Sequence, residues 1–270
     1  MSRSTPKISI VTPSFNQAEY LEITIQSVLN QGYPNLEYII IDGGSTDGSL
    51  DIIRKYAKHL AYWKSEPDNG QTHAINEGLQ HATGEWVAWQ NSDDIYYPGV
   101  FAEMANAAAR HPEVDLIIGN LMIVDAKGQA LRDVRYVTPS YNALRAEGMM
   151  MVNQAAFWRR RVHSEIGLLD ETLQCSFDYD WFLRITKRYR SVHVNRIWGG
   201  FRLHSETKTS NQTQLFTEEN NKILKGIQLP MWMVRVYQIR RMALMLFQGD
   251  VGYIVRGILR RIVGKQGSLY

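Results

Sequence analysis

Cysteine is almost absent from this chain, whose 270 residues include only Cys175. One cysteine excludes an internal disulfide and any zinc site built from cysteines, and it is typical of a reducing compartment. No run of about 18 uncharged apolar residues occurs, so we expect no helix that spans a membrane. Residues 1–7 are polar, and the apolar stretch after them is too short for a signal peptide. These absences favour a cytoplasmic protein.

Acidic residues are nearly missing from the end of the chain. Residues 221–270 hold nine lysine or arginine residues and one acid, Asp250, which is a net charge of +8. Because the whole chain carries +3, the first 220 residues carry −5. An acidic body with a basic, apolar tail is not typical of a nucleic-acid-binding protein. It favours an enzyme that touches an anionic surface.

Over the first 119 residues, segments with strand spacing alternate with segments whose apolar residues recur at helical spacing. Such alternation predicts an α/β fold made of βαβ units, with a mostly parallel sheet and flanking helices. The predicted strands span residues 8–11, 36–41, 61–64, 85–89 and 115–119, and the predicted helices span residues 19–30, 48–58, 72–81 and 98–109.

From residue 120 the pattern changes. The remaining predicted elements are a hairpin over 121–135 with its turn at 125–128, a strand over 153–159, a helix over 177–189 and short strands over 192–194 and 200–203. After about residue 215 the chain is predicted to be helical. We therefore expect a body of residues 1–214, with halves that meet near residue 119, and a helical tail of residues 215–270.

Two acidic clusters follow apolar runs about fifty residues apart. Asp42 follows residues 38–41, and Asn91, Asp93 and Asp94 follow residues 86–89. In an open parallel sheet, ligands bind at the carboxyl ends of the strands. Carboxylates there suit a ribose, a base or a divalent cation, so the clusters indicate a nucleotide-dependent enzyme. The alternative is that these side chains only cap helices or shape turns, which is the role we predict for Asp47.

Candidate residues in the second half also have two interpretations. Asp178 and Asp180 begin a predicted helix, so one could be its N-cap and the other a general base. His204 is either structural or a contact to metal or phosphate. Three further side chains could line a pocket or belong to the core: Asn153, Gln154 and Trp158.

Several of these segments, in this order, resemble glycosyltransferase family 2. The similarity covers roughly residues 7–210, and the matching segments are residues 8–16, 40–48, 68–70, 74–78, 84–85, 91–94, 154–159, 177–184 and 202–204.

The resemblance implies a GT-A fold and transfer of a sugar from a nucleoside diphosphate sugar, with inversion at the anomeric carbon. The implied nucleoside contacts are Thr12, Pro13 and Asp42, with Asp68 near the base or ribose. Asn91 and Asp93 would form a DxD-type site for Mg²⁺ or Mn²⁺, Asp178 would be the base, and His204 would contact the metal or the diphosphate.

The chain departs from the family pattern at three positions. Asn91 replaces the first Asp of the metal motif, Gly43 replaces a second Asp after Asp42, and Phe177 replaces a Glu before the base. The metal would then rest on Asp93 among these side chains, and the base stays open between Asp178 and Asp180. The Gln-x-x-Arg-Trp motif of processive relatives is absent, so we expect transfer of one sugar per encounter.

Taken with the resemblance, the residues favour an enzyme in which residues 1–119 bind the donor, a UDP-sugar above others. Residues 120–214 would bind the acceptor, a glycan or lipid-linked saccharide of the cell surface. One alternative is a nucleotidyltransferase, although residues 12–17 contain no Gly, Lys or Arg to hold a triphosphate. The other is a non-catalytic sugar-nucleotide or glycan-binding module, which Asn91 and Phe177 keep open.

The tail has two interpretations as well. It could be a helical cap over the core, or it could lie in the plane of a membrane. An apolar stripe flanked by arginines suits an anionic lipid surface, so we favour membrane contact through residues 221–270 at the inner face of the plasma membrane. The predicted stripe consists of Val251, Val255, Ile258, Leu259 and Ile262.

Overall fold

The computed structural model describes residues 5–205, 207 and 212–262. Its centre is a nine-stranded sheet, and four neighbouring strands of it pair in parallel. These are β1 (Ile8–Ser14), β2 (Leu36–Asp42), β3 (Tyr62–Ser65) and β4 (Trp86–Trp89), in the spatial order β3-β2-β1-β4. Parallel pairing brings the carboxyl ends of all four to one edge of the sheet, with Ser14 opposite Asp42.

Four helices accompany these strands. They are α1 (Ala18–Leu29), α2 (Ser49–Tyr56), α3 (Gln71–His81) and α4 (Val100–Arg110), and a 3₁₀ turn over Ala57–His59 follows α2. The packing of α3 on β1 requires a glycine, because a Cβ atom at Gly78 would lie 2.3 Å from Val11 Cγ1.

The later part of the chain, from residue 95, continues the same sheet. Its strands are β5 (Ile95–Tyr96), β6 (Leu116–Val124), β7 (Ala130–Val134), β8 (Ala156–Arg159) and β9 (Ser191–Arg202), and after β4 the order is β8-β6-β9-β5 with β7 on β6. Here β6 and β9 are parallel, while the other pairs are antiparallel. The helices are α5 (Tyr141–Glu147), α6 (Arg161–Ile166) and α7 (Phe177–Arg188), with a 3₁₀ turn over Asn153–Ala155.

The predicted α/β class, with a parallel sheet and flanking helices, is confirmed. The prediction of two short strands over 192–194 and 200–203 is wrong, because β9 is one strand of 12 residues. Its register against β6 shifts beside Gly119 and Asn120. A Cβ atom at Gly119 would lie 2.5 Å from the Trp198 ring, so this close approach needs a glycine. The prediction also missed α5 and α6, which are too short to show a helical period.

Aromatic side chains fill the core where the two halves join. Trp89 on β4 packs edge-on against Trp158 on β8, with ring centroids 5.3 Å apart. Trp158 packs in the same way against Trp181 on α7, at 5.7 Å, and Trp89 stacks on Phe182 at 6.2 Å. Burial of these large apolar surfaces fixes α7, and so the predicted base at its start, against the sheet.

Three helices follow: α8 (Thr213–Leu224), α9 (Met231–Phe247) and α10 (Val251–Ile262). A small apolar cluster joins the last two to the body, and its members are Val137, Ala143, Met150, Tyr237, Leu244, Met245, Tyr253 and Ile254. Among the described residues, no helix combines the length and the apolar character needed to cross a bilayer. The end of the predicted basic tail, residues 263–270, lies outside the described residues.

Candidate active site

The loops after β1 and β2 are joined to each other by hydrogen bonds. The Asn16 amide nitrogen of the backbone donates to Ser45 Oγ over 2.8 Å, and Asn16 Oδ1 accepts from the Thr46 N–H over 2.9 Å. Asp47 accepts from the Ala18 N–H at the start of α1 and from the Ser49 N–H at the start of α2. Asp47 therefore has the capping role predicted for it.

Asp42 is 1% exposed, at the end of β2. Its carboxylate accepts from the N–H groups of Gly44 and Ser45, from the Ser45 hydroxyl and from the Ser65 hydroxyl, at 2.5–3.2 Å. Thr12 is likewise buried, with its hydroxyl 3.0 Å from the Tyr38 hydroxyl. These two side chains shape the loop and the core, and their contact with a nucleoside, like that of the buried Pro13, stays a prediction.

Asp68 lies at the same edge of the sheet and explains one departure from the family pattern. Its Oδ1 accepts from the Gly70 N–H over 2.7 Å. A Cβ atom at Gly43 would lie 3.1 Å from both Asp68 carboxylate oxygens. An Asp at position 43 would therefore meet a like charge at close range, whereas Gly43 leaves the half-buried Asp68 carboxylate next to the loop.

Asp94 joins the loop after β4 to the second half of the sheet. This carboxylate is 1% exposed. It accepts from the Arg202 N–H over 2.8 Å, from Gln154 Nε2 over 2.7 Å and from Asn91 Nδ2 over 3.1 Å. Burial raises the pKa of Asp94 well above its usual range, and the charge of Asp93 adds to the rise. Asp94 thus fixes the positions of two predicted site residues, Asn91 and Gln154.

Asp93, in the loop after β4, lies next to His204, which follows β9. Asp93 Oδ2 lies 3.0 Å from His204 Nε2, and the side chains are 22% and 5% exposed. Arg202 holds the loop by donating from Nε to the Asp93 carbonyl over 2.8 Å. Its guanidinium stacks over the Tyr20 ring at 5.0 Å, and that ring lies 4.8 Å from the His204 ring. Arg202 lies in a segment that matches the family pattern but had no predicted role, and Tyr20 was not among the predicted site residues.

Asp178 lies in the first turn of α7, where its Oδ1 accepts from the Tyr179 N–H over 2.8 Å. Burial raises the pKa of Asp178 to about 7, and the charge of Glu219 adds a smaller rise. A carboxyl group with that pKa can take up a proton near neutral pH. Asp180 instead forms an ion pair with Arg184 at 2.8 Å. The geometry therefore favours Asp178 over Asp180 as a general base.

The amino end of α3 links these two parts of the site. Gln71 Nε2 donates to Asn91 Oδ1 over 3.0 Å, and the Thr72 hydroxyl donates to the Leu173 carbonyl over 3.2 Å. Consecutive residues of α3 thus contact the loop after β4 and the segment that leads to Asp178.

The remaining pocket candidates differ in their surroundings. Gln154 Oε1 and Asn153 Nδ2 are buried and form no hydrogen bond within the described part of the chain, while Gln154 Nε2 is bound to Asp94. Trp158 lies fully in the core, with its indole nitrogen 3.4 Å from His163 Nδ1. Gln154 is therefore bonded to the loop after β4, whereas Trp158 is a core residue; a pocket role for Gln154 stays a prediction.

Comparison with known families agrees with this geometry. Residues 9–167 match the sequence model of glycosyl transferase family 2. The chain belongs to glycosyl transferase family 2.

Individual relatives of this family 2 protein are partial matches. An uncharacterised glycosyltransferase of Rickettsia felis is 29% identical over 227 residues, which cover 77% of this chain and 36% of that protein. A Mycobacterium tuberculosis relative of the same description is 32% identical over 184 residues, 67% of this chain and 69% of its own length. TuaG of Bacillus subtilis, a putative teichuronic acid biosynthesis glycosyltransferase, is 41% identical over 99 residues, 35% of this chain and 38% of TuaG. The chain thus spans about a third of the length of the Rickettsia felis protein.

Two solved structures share the fold. The S. aureus TarS structure with UDP-GlcNAc superposes with a TM-score of 0.64 and 17% identity, over 84% of this chain and 69% of that chain. The structure of the mannosyltransferase PcManGT of Pyrobaculum calidifontis, with GDP-Man and Mn²⁺, superposes with a TM-score of 0.63 and 18% identity. The match covers 87% of this chain and 69% of that chain. Likeness at this level of identity establishes the GT-A fold of this family 2 chain.

Asp93 and His204 are the residues of the site that could bind a divalent cation. Across the described residues, no group of three or more His, Cys, Asp or Glu side chains forms a metal site. A cation that shares a diphosphate needs only one or two protein ligands, because phosphate oxygens and water complete its shell. Asp93 and His204 offer one oxygen and one nitrogen 3.0 Å apart. This pair fits Mg²⁺ or Mn²⁺ bound together with a diphosphate.

Proposed function

We propose that the chain transfers one sugar from a nucleoside diphosphate sugar, a UDP-sugar in the first instance, to an acceptor hydroxyl with inversion. The observation that carries the proposal is a carboxyl group with a pKa near 7, Asp178, on a segment tied through α3 to the loop of Asn91 and Asp93. Family membership favours this activity over nucleotidyl transfer.

The reaction is a single displacement. The acceptor oxygen attacks the anomeric carbon while its proton passes to the Asp178 carboxylate, and the bond from that carbon to the diphosphate oxygen breaks. Asp93 and His204 would hold Mg²⁺ or Mn²⁺, which supplies charge neutralisation for the leaving diphosphate. Asp68, with Asn91, would contact the ribose or base, while Asp42 keeps the loop between β2 and α2 in shape.

The relatives support the choice of substrates. TarS binds UDP-GlcNAc and PcManGT binds GDP-Man with Mn²⁺ in their structures, and TuaG is named for teichuronic acid biosynthesis. We propose a cell-surface glycan or its lipid-linked precursor as acceptor, bound by the half that contains residues 120–214.

The test begins with the donor. A panel of nucleoside diphosphate sugars, with and without Mn²⁺, is screened for a rise in melting temperature, because a ligand that binds only the folded protein stabilises it. Release of nucleoside diphosphate is then measured for the wild type, Asp178→Asn, Asp180→Asn and the exposed control Asp51→Asn.

Asp178→Asn should lower turnover by about 10²–10⁴-fold without a change in donor affinity, since only the proton acceptor is lost. Asp180→Asn should lower the melting temperature and keep turnover within about tenfold, and Asp51→Asn should match the wild type. If the wild type binds the donor but releases nucleoside diphosphate no faster than the donor hydrolyses in buffer, with every acceptor offered, the chain is a binding module.

We also propose that α9 and α10 lie on an anionic membrane surface, as part of a tail that begins near residue 215. One face of these helices packs on α5, while Trp232, Ile239 and Phe247 on α9 are 67%, 68% and 92% exposed. On α10 the exposed apolar residues are Val251, Val255, Ile258 and Leu259. The exposed cations Arg235 and Arg240 accompany this surface. Apolar side chains next to arginines complement anionic headgroups above an acyl layer.

Sedimentation with vesicles tests this contact on the full chain. We expect binding to phosphatidylglycerol vesicles that weakens with salt, and much weaker binding to phosphatidylcholine alone. The double variant Trp232→Ser, Ile239→Ser should lose most of this binding, whereas Ile23→Ser, an exposed apolar residue on α1, should not. Equal binding of all variants, or no binding to anionic vesicles, would exclude the membrane surface and leave the proposed transfer reaction intact.

A further inference from the structure

A buried carboxylate from the tail binds the segment that leads to Asp178. Glu219 on α8 is 7% exposed. Its Oε1 accepts from the Gln174 N–H over 2.8 Å, and its Oε2 accepts from the N–H groups of Cys175 and Ser176 over 3.0 and 2.7 Å. Three successive backbone amides that converge on one anion form a concave anion site. Here the anion is a side chain of the protein itself.

Further contacts of this segment come from α8 and from the residue just before it. Ser176 is the N-cap residue of α7, but its side chain makes no capping hydrogen bond. Two further contacts also come from around α8: Cys175 Sγ lies 2.8 Å from Gln212 Oε1, and Ser176 Oγ lies 3.5 Å from the Phe216 carbonyl. The hydrogen bonds from α8 therefore act on the start of α7 in addition to the packing of α7 against the sheet.

The Ser176 carbonyl accepts from the Asp180 N–H over 3.1 Å, so Ser176 fixes the first turn of α7, in which Asp178 lies. The negative charge of Glu219 also reaches Asp178, because it adds to the rise in the pKa of that carboxyl group. Residue 177, just before Asp178, is a buried Phe. The nearby negative charge that raises the pKa of Asp178 comes from α8.

We infer that Glu219 is a positioning residue, whose carboxylate holds residues 174–176 and thereby sets the orientation and the charge environment of the Asp178 base. The inference rests on the proposed function, because it requires that Asp178 accept the proton of the acceptor. It makes α8 part of the catalytic unit, although α8 follows the last strand of the sheet.

The experiment compares Glu219→Gln with Glu218→Gln in the full chain. Glu218 is the adjacent glutamate on α8, is exposed and accepts a hydrogen bond from Gln214 Nε2 over 2.9 Å. Glu219→Gln should lower kcat by about 10–100-fold with donor Kd unchanged, since a small displacement of a reacting group has an effect of this size. The acid limb of kcat/KM should also move to lower pH, because one negative charge near Asp178 is removed. Glu218→Gln should change neither quantity.

Glu219→Asp provides a second variant if Glu219→Gln is too unstable to assay. It keeps the charge but shortens the side chain, so kcat should fall while the acid limb stays within about 0.2 pH units of the wild type. Wild-type kcat in both variants, or a loss of donor affinity that equals the loss of kcat with an unmoved acid limb, overturns the inference. Full activity of Asp178→Asn would instead overturn the proposed function.

Discussion

The loops after β2 and β4 both carry acidic residues, yet they are stabilised over very different distances along the chain. Asp42 receives three of its four hydrogen bonds from Gly44 and Ser45, two and three residues away. Asp94 receives its hydrogen bonds from Asn91, from Gln154 and from Arg202, which are 3, 60 and 108 residues away. The first loop can form from local contacts, whereas the second needs the completed sheet.

This difference implies a division of labour. The loop after β2, which we propose binds the nucleoside, is shaped mainly by bonds to nearby residues, while the pair Asp93 and His204 exists only after β9 joins the sheet beside β6. The proposed metal pair therefore depends on the second half of the fold. We expect some substitutions in the two loops to lower the free energy of unfolding and others to lower turnover.

Asp94→Ala should have the largest effect. It leaves two buried donors and one half-buried donor without their acceptor, so we expect the free energy of unfolding to fall by about 4 kcal/mol. Urea denaturation of Asp94→Ala measures the loss, and Asp51→Ala, an exposed acid on α2, is the control. A loss below about 1 kcal/mol would show that Asp94 does not join the two halves.

Asp93→Asn should chiefly affect turnover. The substitution removes the carboxylate charge that we propose as a metal ligand, while the bond from Arg202 to the backbone carbonyl of residue 93 remains. We expect kcat to fall by at least about 100-fold, which is about 2.7 kcal/mol, and stability to change by less than about 1 kcal/mol. The thermal shift caused by Mn²⁺ with donor should shrink in parallel. A variant with more than half of wild-type kcat would exclude Asp93 as a metal ligand.

Features that depend on local contacts could be predicted from the sequence. The end of β2 at Asp42 and the position of Asp93 in the loop after β4 follow from the apolar runs that precede them, and the capping role of Asp47 follows from its position before α2. These are local relations along the chain.

The contacts of Asp94 with Arg202 and of Glu219 with residues 174–176 join segments 108 and 43–45 residues apart. Nothing in the composition of either segment specifies that pairing. The single strand β9 was divided in the prediction for a similar reason, since its continuity depends on Gly119 and Trp198 meeting across two strands.

Asp42→Ala should have an intermediate effect on stability. Several donors in the loop can turn to water, so we expect a loss of about 2 kcal/mol, smaller than that of Asp94→Ala. Donor affinity should fall as well if the loop binds the nucleoside, and isothermal titration with the best donor of the panel measures it. Equal stability losses in Asp42→Ala and Asp94→Ala would remove the distinction between the local and the long-range loop.

Glu37→Gln should have the smallest effect, because Glu37 lies on β2 at the edge of the sheet opposite to the site. Burial alone would raise the pKa of Glu37, but hydrogen bonds from Lys7, Ser9 and Thr83 outweigh it and hold the pKa at about 2. Because the folded-state pKa is below the unfolded value of about 4.3, Glu37 stabilises the fold above about pH 4–5. That contribution is lost as pH falls towards 2.

Glu37→Gln should therefore lower the free energy of unfolding by about 1–2 kcal/mol at pH 7, by less at pH 3, and leave kcat unchanged. Urea denaturation at both pH values measures the difference. A loss independent of pH would mean that the Glu37 charge contributes nothing, and a fall in kcat would mean that the two ends of β2 are coupled. The fall in kcat would contradict the assignment of catalysis to the carboxyl edge of the sheet and of stability alone to the opposite edge.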